Sequence, residues 1–267
     1  MNRWNAISPW LVACAAAFVF CMGTMEVVSA AEGDDQDAAL IKPYEGPPIF
    51  LDQPESPPPA SLVEKRVDSE KYPDGKVRFE REIARYSDNH FVADGFYREF
   101  YPNGQKFAEG QYKNGQQVGS WTYWHDNGKE QRTVTYKNGQ PDGGWDVLNA
   151  EGAVIAKRSY KDGKRDGTWV VYDETGKQPL REEVYSLGKA DGTWKVWFPS
   201  GQMRTQVGIK DGVRDGAYTE WDEKGNKRAE LNFVEGKVDG TATLWGAEGQ
   251  KVIQQYDHGK LLKETKE

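Results

Sequence analysis

Six aspartates recur on a common spacing in this chain: Asp94, Asp142, Asp166, Asp191, Asp215 and Asp239. A ladder of carboxylates is a candidate calcium site, but that ion takes about six to eight oxygen ligands. One carboxylate per repeat is thin for it. Each of these aspartates precedes a glycine, and both residue types suit tight turns, which is the simpler account. The other groups that do chemistry are sparse. His90, His125 and His258 share no repeat position, and no metalloprotease, phosphate-loop, nucleophile-elbow or dinucleotide motif is present. Cys14 and Cys21 both lie in the N-terminal apolar stretch, so the rest of the chain has no thiol for a disulfide, a metal or nucleophilic attack. The reading is therefore of a protein that is not an enzyme and holds no cofactor or metal.

What remains is the chemistry of aromatic rings, which stack and which fill pockets. Glycines fix their register. Gly95, Gly119, Gly143, Gly167, Gly192, Gly216 and Gly240 recur at intervals of 24, 24, 24, 25, 24 and 24. A second glycine follows each after nine residues, from Gly104 to Gly249, and a third closes each unit, from Gly115 to Gly259. Two residues after the first glycine stand Tyr97, Trp121, Trp145, Trp169, Trp194 and Tyr218, with Ala242 in the last copy. Five residues after it stand Phe100, Trp124, Leu148, Tyr172, Trp197, Trp221 and Trp245. Near the end of each copy come Tyr112, Tyr136, Tyr160, Tyr185, Ile209, Phe233 and Tyr256.

Elements able to hold such rings follow from local chemistry. Segments such as 168–172 are short and rich in β-branched and aromatic residues, which favours strands. Asn103-Gly104 and Asn127-Gly128 supply residues that tolerate positive φ in hairpin turns. In the second strand of the second copy, Arg132, Val134 and Tyr136 share one face, opposite Gln131, Thr133 and Thr135. The predicted fold is all-β: an elongated meander of about seven tandem antiparallel hairpins of 24 residues, plus an N-terminal half-repeat. The two aromatic slots of the first strand lie three residues apart, which in a regular strand means opposite faces. Either a bulge re-aims one of them or both faces carry aromatics. One unit cannot bury enough to fold alone, so the array is cooperative.

The pattern Asp-Gly-x-Trp-x-x-Tyr, a turn glycine, then Tyr-x-x-Gly-Lys resembles the MORN repeat family in its bacterial variant form. Residues 161–169 are the clearest instance, and the resemblance covers about residues 70–262. It implies stacked hairpins in an antiparallel sheet and a scaffold for protein interaction. Lipid binding is a further, weaker implication. Bacterial proteins of this variant are also labelled YwqK-like antitoxins, which implies an antitoxin-like neutraliser. A cytosolic antitoxin is at odds with the N-terminal segment described next.

Residues 1–30 have the form of a secretory signal peptide. Arg3 leads into an apolar run from Trp10 to Met22, and Val28-Ser29-Ala30 offers a cleavage site. Leu11-Val12-Ala13-Cys14 resembles a lipoprotein box, but the apolar run continues past Cys14. The expected location is secreted, periplasmic or cell envelope. Residues 31–60 are acidic and then proline-rich, a semi-rigid linker. Residues 61–94 read as an N-terminal cap and half-repeat, 95–262 as the seven repeats, and 263–267 as a charged tail. With 35 basic against 42 acidic residues the net charge is -7, which argues against a nucleic-acid partner. The expected partner is another protein. A glycan or cell-wall ligand is the alternative, because evenly spaced exposed aromatics also suit sugars. The candidate interaction residues are Tyr97, Phe100, Trp121, Trp124, Trp145, Trp169, Tyr172, Trp194, Trp197, Trp221 and Trp245.

Overall fold

The computed structural model describes residues 61–246 and 249–267. The readings of a signal peptide, a lipoprotein cysteine and a proline-rich linker lie outside these residues. The described chain is an antiparallel meander of strands without helix. Each copy contributes a first strand, such as Phe91–Phe100, and a return strand, such as Lys106–Lys113. Consecutive strands pair in chain order, giving one sheet from Leu62–Lys71 to Gln140–Pro141 and a second from Gly143–Leu148 to Lys260–Lys266. The N-terminal cap is a hairpin. Leu62–Lys71 pairs with Val77–Tyr86 across a turn closed by Gly75 N–H donating to the Tyr72 carbonyl at 2.9 Å. The charged C-terminal residues run as the outermost strand, Lys260–Lys266, exposed throughout. Lysines and glutamates there discourage pairing with another edge.

Two kinds of turn alternate along the meander. Within a copy, Tyr101 N–H bonds Gln105 carbonyl and Gly104 N–H bonds Tyr101 carbonyl, each at 2.8 Å. Between copies the turn has two residues, both at positive φ: 49° and 78° at Asn114-Gly115, 50° and 76° at Asn138-Gly139. That is the turn whose twist matches flanking strands, and glycine and asparagine adopt it most easily.

The spacing of 25 residues in one interval has a local cause. In the fourth copy Asp173 N–H reaches the carbonyl of Gln178, one residue further than the equivalent bond in the first copy. The extra residue is taken up by the hairpin loop, so the strands keep their register.

A bulge recurs at the loop end of the hairpin in six copies. In the first, Glu99 opposes Ala108 but Phe100 opposes Lys106, leaving Phe107 as the extra residue on the return strand. The same step falls at Trp124, Leu148, Tyr172, Trp197 and Trp221. In the last copy Gly259 follows Gly249 by only ten positions, where in the first Gly115 follows Gly104 by eleven, and its hairpin shows no bulge. Because the extra residue sits on the return strand, the first strand keeps its alternation. The two aromatic slots therefore face opposite ways, and both faces of the sheet carry aromatics.

Candidate functional site

The first aromatic slot lies on the buried face. Tyr97, Trp121, Trp169 and Tyr218 are buried, Trp121 to 2%, while Trp145 and Trp194 are partly covered. A single sheet achieves this because the rings of neighbouring copies cover one another. Tyr97 stands 5.5 Å from Trp121, and Tyr112 meets both edge-on at 5.7 and 5.0 Å. A second run goes from Trp145 through Tyr160, Trp169 and Tyr185 to Trp194, with successive centroids 5.0, 5.1, 5.5 and 5.9 Å apart. Offset and edge-on contacts of this kind stabilise beyond the area they bury.

Three of the four indoles also tie one copy to the one before it. Trp121 Nε1 donates to the Gln111 carbonyl at 3.1 Å, Trp169 Nε1 to Ser159 at 2.9 Å, and Trp194 Nε1 to Val184 at 3.3 Å. Those carbonyls lie where the ladder between copies steps out of register: Glu109 pairs with Thr122, but Gln111 pairs with Val118. The indole supplies a donor next to this irregularity. Arginines close the remaining space, with Arg158 and Arg165 each 4.6 Å from the Trp169 ring. Burial and the neighbouring Glu183 push the Tyr185 phenol up to about 12.

The second slot differs. Phe100, Trp124, Leu148, Tyr172, Trp197, Trp221 and Trp245 are all half-buried, and none is as covered as Trp121. Successive members are two strands apart, so their spacing is roughly 10 Å. Lys106 Nζ sits 5.4 Å from the Trp124 ring. The candidate interaction residues thus separate into two rows on opposite faces, one largely covered by its own rings and one half-buried. The turn glycines Gly95, Gly119, Gly143, Gly167, Gly192, Gly216 and Gly240 all have positive φ, from 67° to 140°.

The aspartate ladder has a structural role. Asp166 Oδ1 accepts from Leu187 N–H at 3.0 Å, Asp215 Oδ2 from Glu235 at 3.1 Å and Asp239 Oδ1 from His258 at 2.9 Å. In each case the donor is the residue at positive φ in the turn that ends the same copy. The histidines also have local partners. His125 Nε2 lies 2.8 Å from the Leu148 carbonyl of the next copy. His258 Nδ1 lies 2.6 Å from Asp257 Oδ1 and 3.7 Å from Asp239 Oδ1, on the open surface of the last turn. His90 Nδ1 pairs with Asp88.

Residues 94–114, 117–138 and 190–211 match the family described as MORN repeat variant. The chain carries MORN-variant repeats. Among curated proteins none matches it significantly. The matched segments are the first, second and fifth copies, and the other copies are antiparallel hairpins of the same kind.

One junction between MORN-variant copies is irregular, and the spacing of glycines alone did not reveal it. In the other junctions the return strand of one copy pairs with the first strand of the next: Ala108 with Tyr123, Ala156 with Val171, Arg181 with Val196, Thr205 with Glu220, Ala229 with Leu244. The corresponding pair of Arg132 with Val147 is missing, and the two sheets divide there. An open groove of about 560 Å³ lies at this seam, with Glu130, Thr133, Asp146, Leu148 and Lys157 among its walls. The signal for it was Pro141-Asp142-Gly143-Gly144, in which proline offers no N–H and tandem glycine no side chain.

Proposed function

We propose that the array is a protein-interaction scaffold of the cell envelope, engaging its partner through the face that carries Phe100, Trp124, Tyr172, Trp197, Trp221 and Trp245. The observation that carries this reading is the asymmetry between the rows. The first-slot rings pack on one another and hold the copies together, whereas the second-slot rings are half-buried and make no described ring–ring contact. Aromatic side chains with one open side are preferred anchors in protein interfaces. The envelope location rests on the signal-like segment of residues 1–30.

The roughly 10 Å spacing of the same row favours a second reading. It is close to the repeat of an extended β-linked polysaccharide, on which sugar faces recur every second residue. One experiment separates the two. A photo-crosslinker placed at Trp197 or Trp221 is compared with one at Trp169, in cells making the full chain. Protein adducts specific to the two former positions support the scaffold. Polysaccharide adducts at those positions move the function to glycan binding, and equal yields from all three positions remove this face as the docking surface.

A further inference from the structure

Arg132 is a positive charge inside the aromatic face, 7% exposed, with no described carboxylate paired to it. One guanidinium nitrogen donates to Gln131 Oε1 at 2.8 Å. The Tyr123 ring lies 4.2 Å from the guanidinium carbon. Burial holds the Arg132 pKa below the usual arginine value. The more exposed arginines of the same chain are matched differently: Arg78 with Glu70 at 2.7 Å, Arg81 with Asp68 at 3.0 Å and Arg98 with Glu109 at 3.0 Å. A buried charge without a counter-charge is costly, and a guanidinium has five donors in a planar fork. No fully buried side-chain nitrogen in the described residues lacks a hydrogen bond, so the unengaged donors of Arg132 are not wholly enclosed.

Its position gives that opening a reason. The ladder between copies fails at Arg132, which pairs with Tyr123 of its own copy while Val147 pairs only with Ala156. We propose that Arg132, at the seam between the second and third copies, is the receptor for a carboxylate brought by a ligand. A carboxylate accepts two parallel bonds from the fork and supplies the missing charge. The net charge of -7 disfavours a polyanion but costs little against a single carboxylate. This site is distinct from the half-buried aromatic row and does not depend on what that row binds.

The test uses the full chain labelled with 15N-arginine, with the Arg132 Nε resonance assigned by its loss in Arg132→Met. Sodium acetate, sodium chloride and inorganic phosphate are titrated at equal ionic strength. The expected result is a saturable shift of the Arg132 resonance with acetate and none with chloride. The urea midpoint of Arg132→Met should also lie above that of the wild type without acetate, and acetate should narrow the gap. An unresponsive resonance, or one that follows chloride equally, overturns the proposal. So does a stronger response to phosphate, which would reassign the ligand. The wild-type titration stands alone if Arg132→Met fails to fold, since Arg132→Lys then assigns the resonance.

Discussion

Between the third and fourth copies, Tyr160 stands 5.1 Å from Trp169, the Trp169 indole bonds Ser159, and Lys157 pairs with Val170 in the ladder. Between the second and third copies the equivalent residues are Tyr136, Trp145, Thr135, Thr133 and Asp146. Tyr136 and Trp145 make no ring contact, the Trp145 indole donates to no described acceptor, and the ladder pair is missing. The loop edge of the same junction is intact: His125 Nε2 reaches the Leu148 carbonyl at 2.8 Å and Asn127 Nδ2 the Ala150 carbonyl at 2.9 Å. The comparison shows that ladder, ring contact and indole bond form or fail together, because all three need the slot residue seated over the preceding strand. The loop contacts are independent of that seating.

The largest expected effect breaks the regular junction. Trp169→Ala should cost about 3–5 kcal/mol in urea unfolding, the range for truncating a buried aromatic. Trp145→Ala should cost clearly less, since Trp145 is only partly covered and unbonded. Equal losses would mean that the seam is as tightly held as its neighbours.

Leu187 sharpens the view of the turns. It holds φ at 48° and is 58% exposed, where Asn114 and Asn138 occupy the same position in the first two copies. Left-handed backbone costs a branched residue roughly 1–2 kcal/mol, which asparagine partly avoids. Leu187→Asn should therefore stabilise by about 0.5–1 kcal/mol. A lower midpoint would show that the leucine side chain makes a compensating contact.

Gly144 stands where Thr168, Thr193 and Thr241 stand in other copies. A Cβ there would come no closer than 3.4 Å, to the Arg158 carbonyl. Gly144→Thr should stabilise by roughly 0.5–1 kcal/mol through loss of backbone freedom in the unfolded chain. Amide exchange at Asp146 and Val147 should slow if the strand also closes the seam. Unchanged exchange with raised stability would place the cause of the seam at Pro141 instead.

The smallest effect is a dependence on pH. Burial raises the pKa of Glu99, against the hydrogen bond that Tyr97 Oη donates to it at 3.0 Å. A carboxyl raised by folding favours the native state at low pH, and that contribution is lost as pH rises through the folded pKa. Glu99→Gln should thus match the wild type below about pH 4 and become the more stable of the two as pH rises from there. A difference of opposite sign would mean that the Tyr97 bond outweighs burial.

The repeat was legible from glycine spacing because a glycine at positive φ is a local requirement, indifferent to distant contacts. The alternation of Arg132, Val134 and Tyr136 against Gln131, Thr133 and Thr135 was legible for the same reason: strand geometry dictates it. The facing of the two aromatic slots was not. It depends on which strand of a hairpin carries the extra residue, and at Phe107 that is decided by pairing across the hairpin. Asp166 shows the same division. Its residue type announces a turn, but its bond to Leu187 joins two turns 21 positions apart. By itself, the sequence determined the period, the strands and the turn types, all set within a few residues. Only the tertiary structure decided which rings cover one another, where the ladder breaks, and that Arg132 is buried beside that break with no described carboxylate paired to it. Those outcomes are set by neighbouring copies, which lie about 24 residues away along the chain but only one strand spacing away in the sheet.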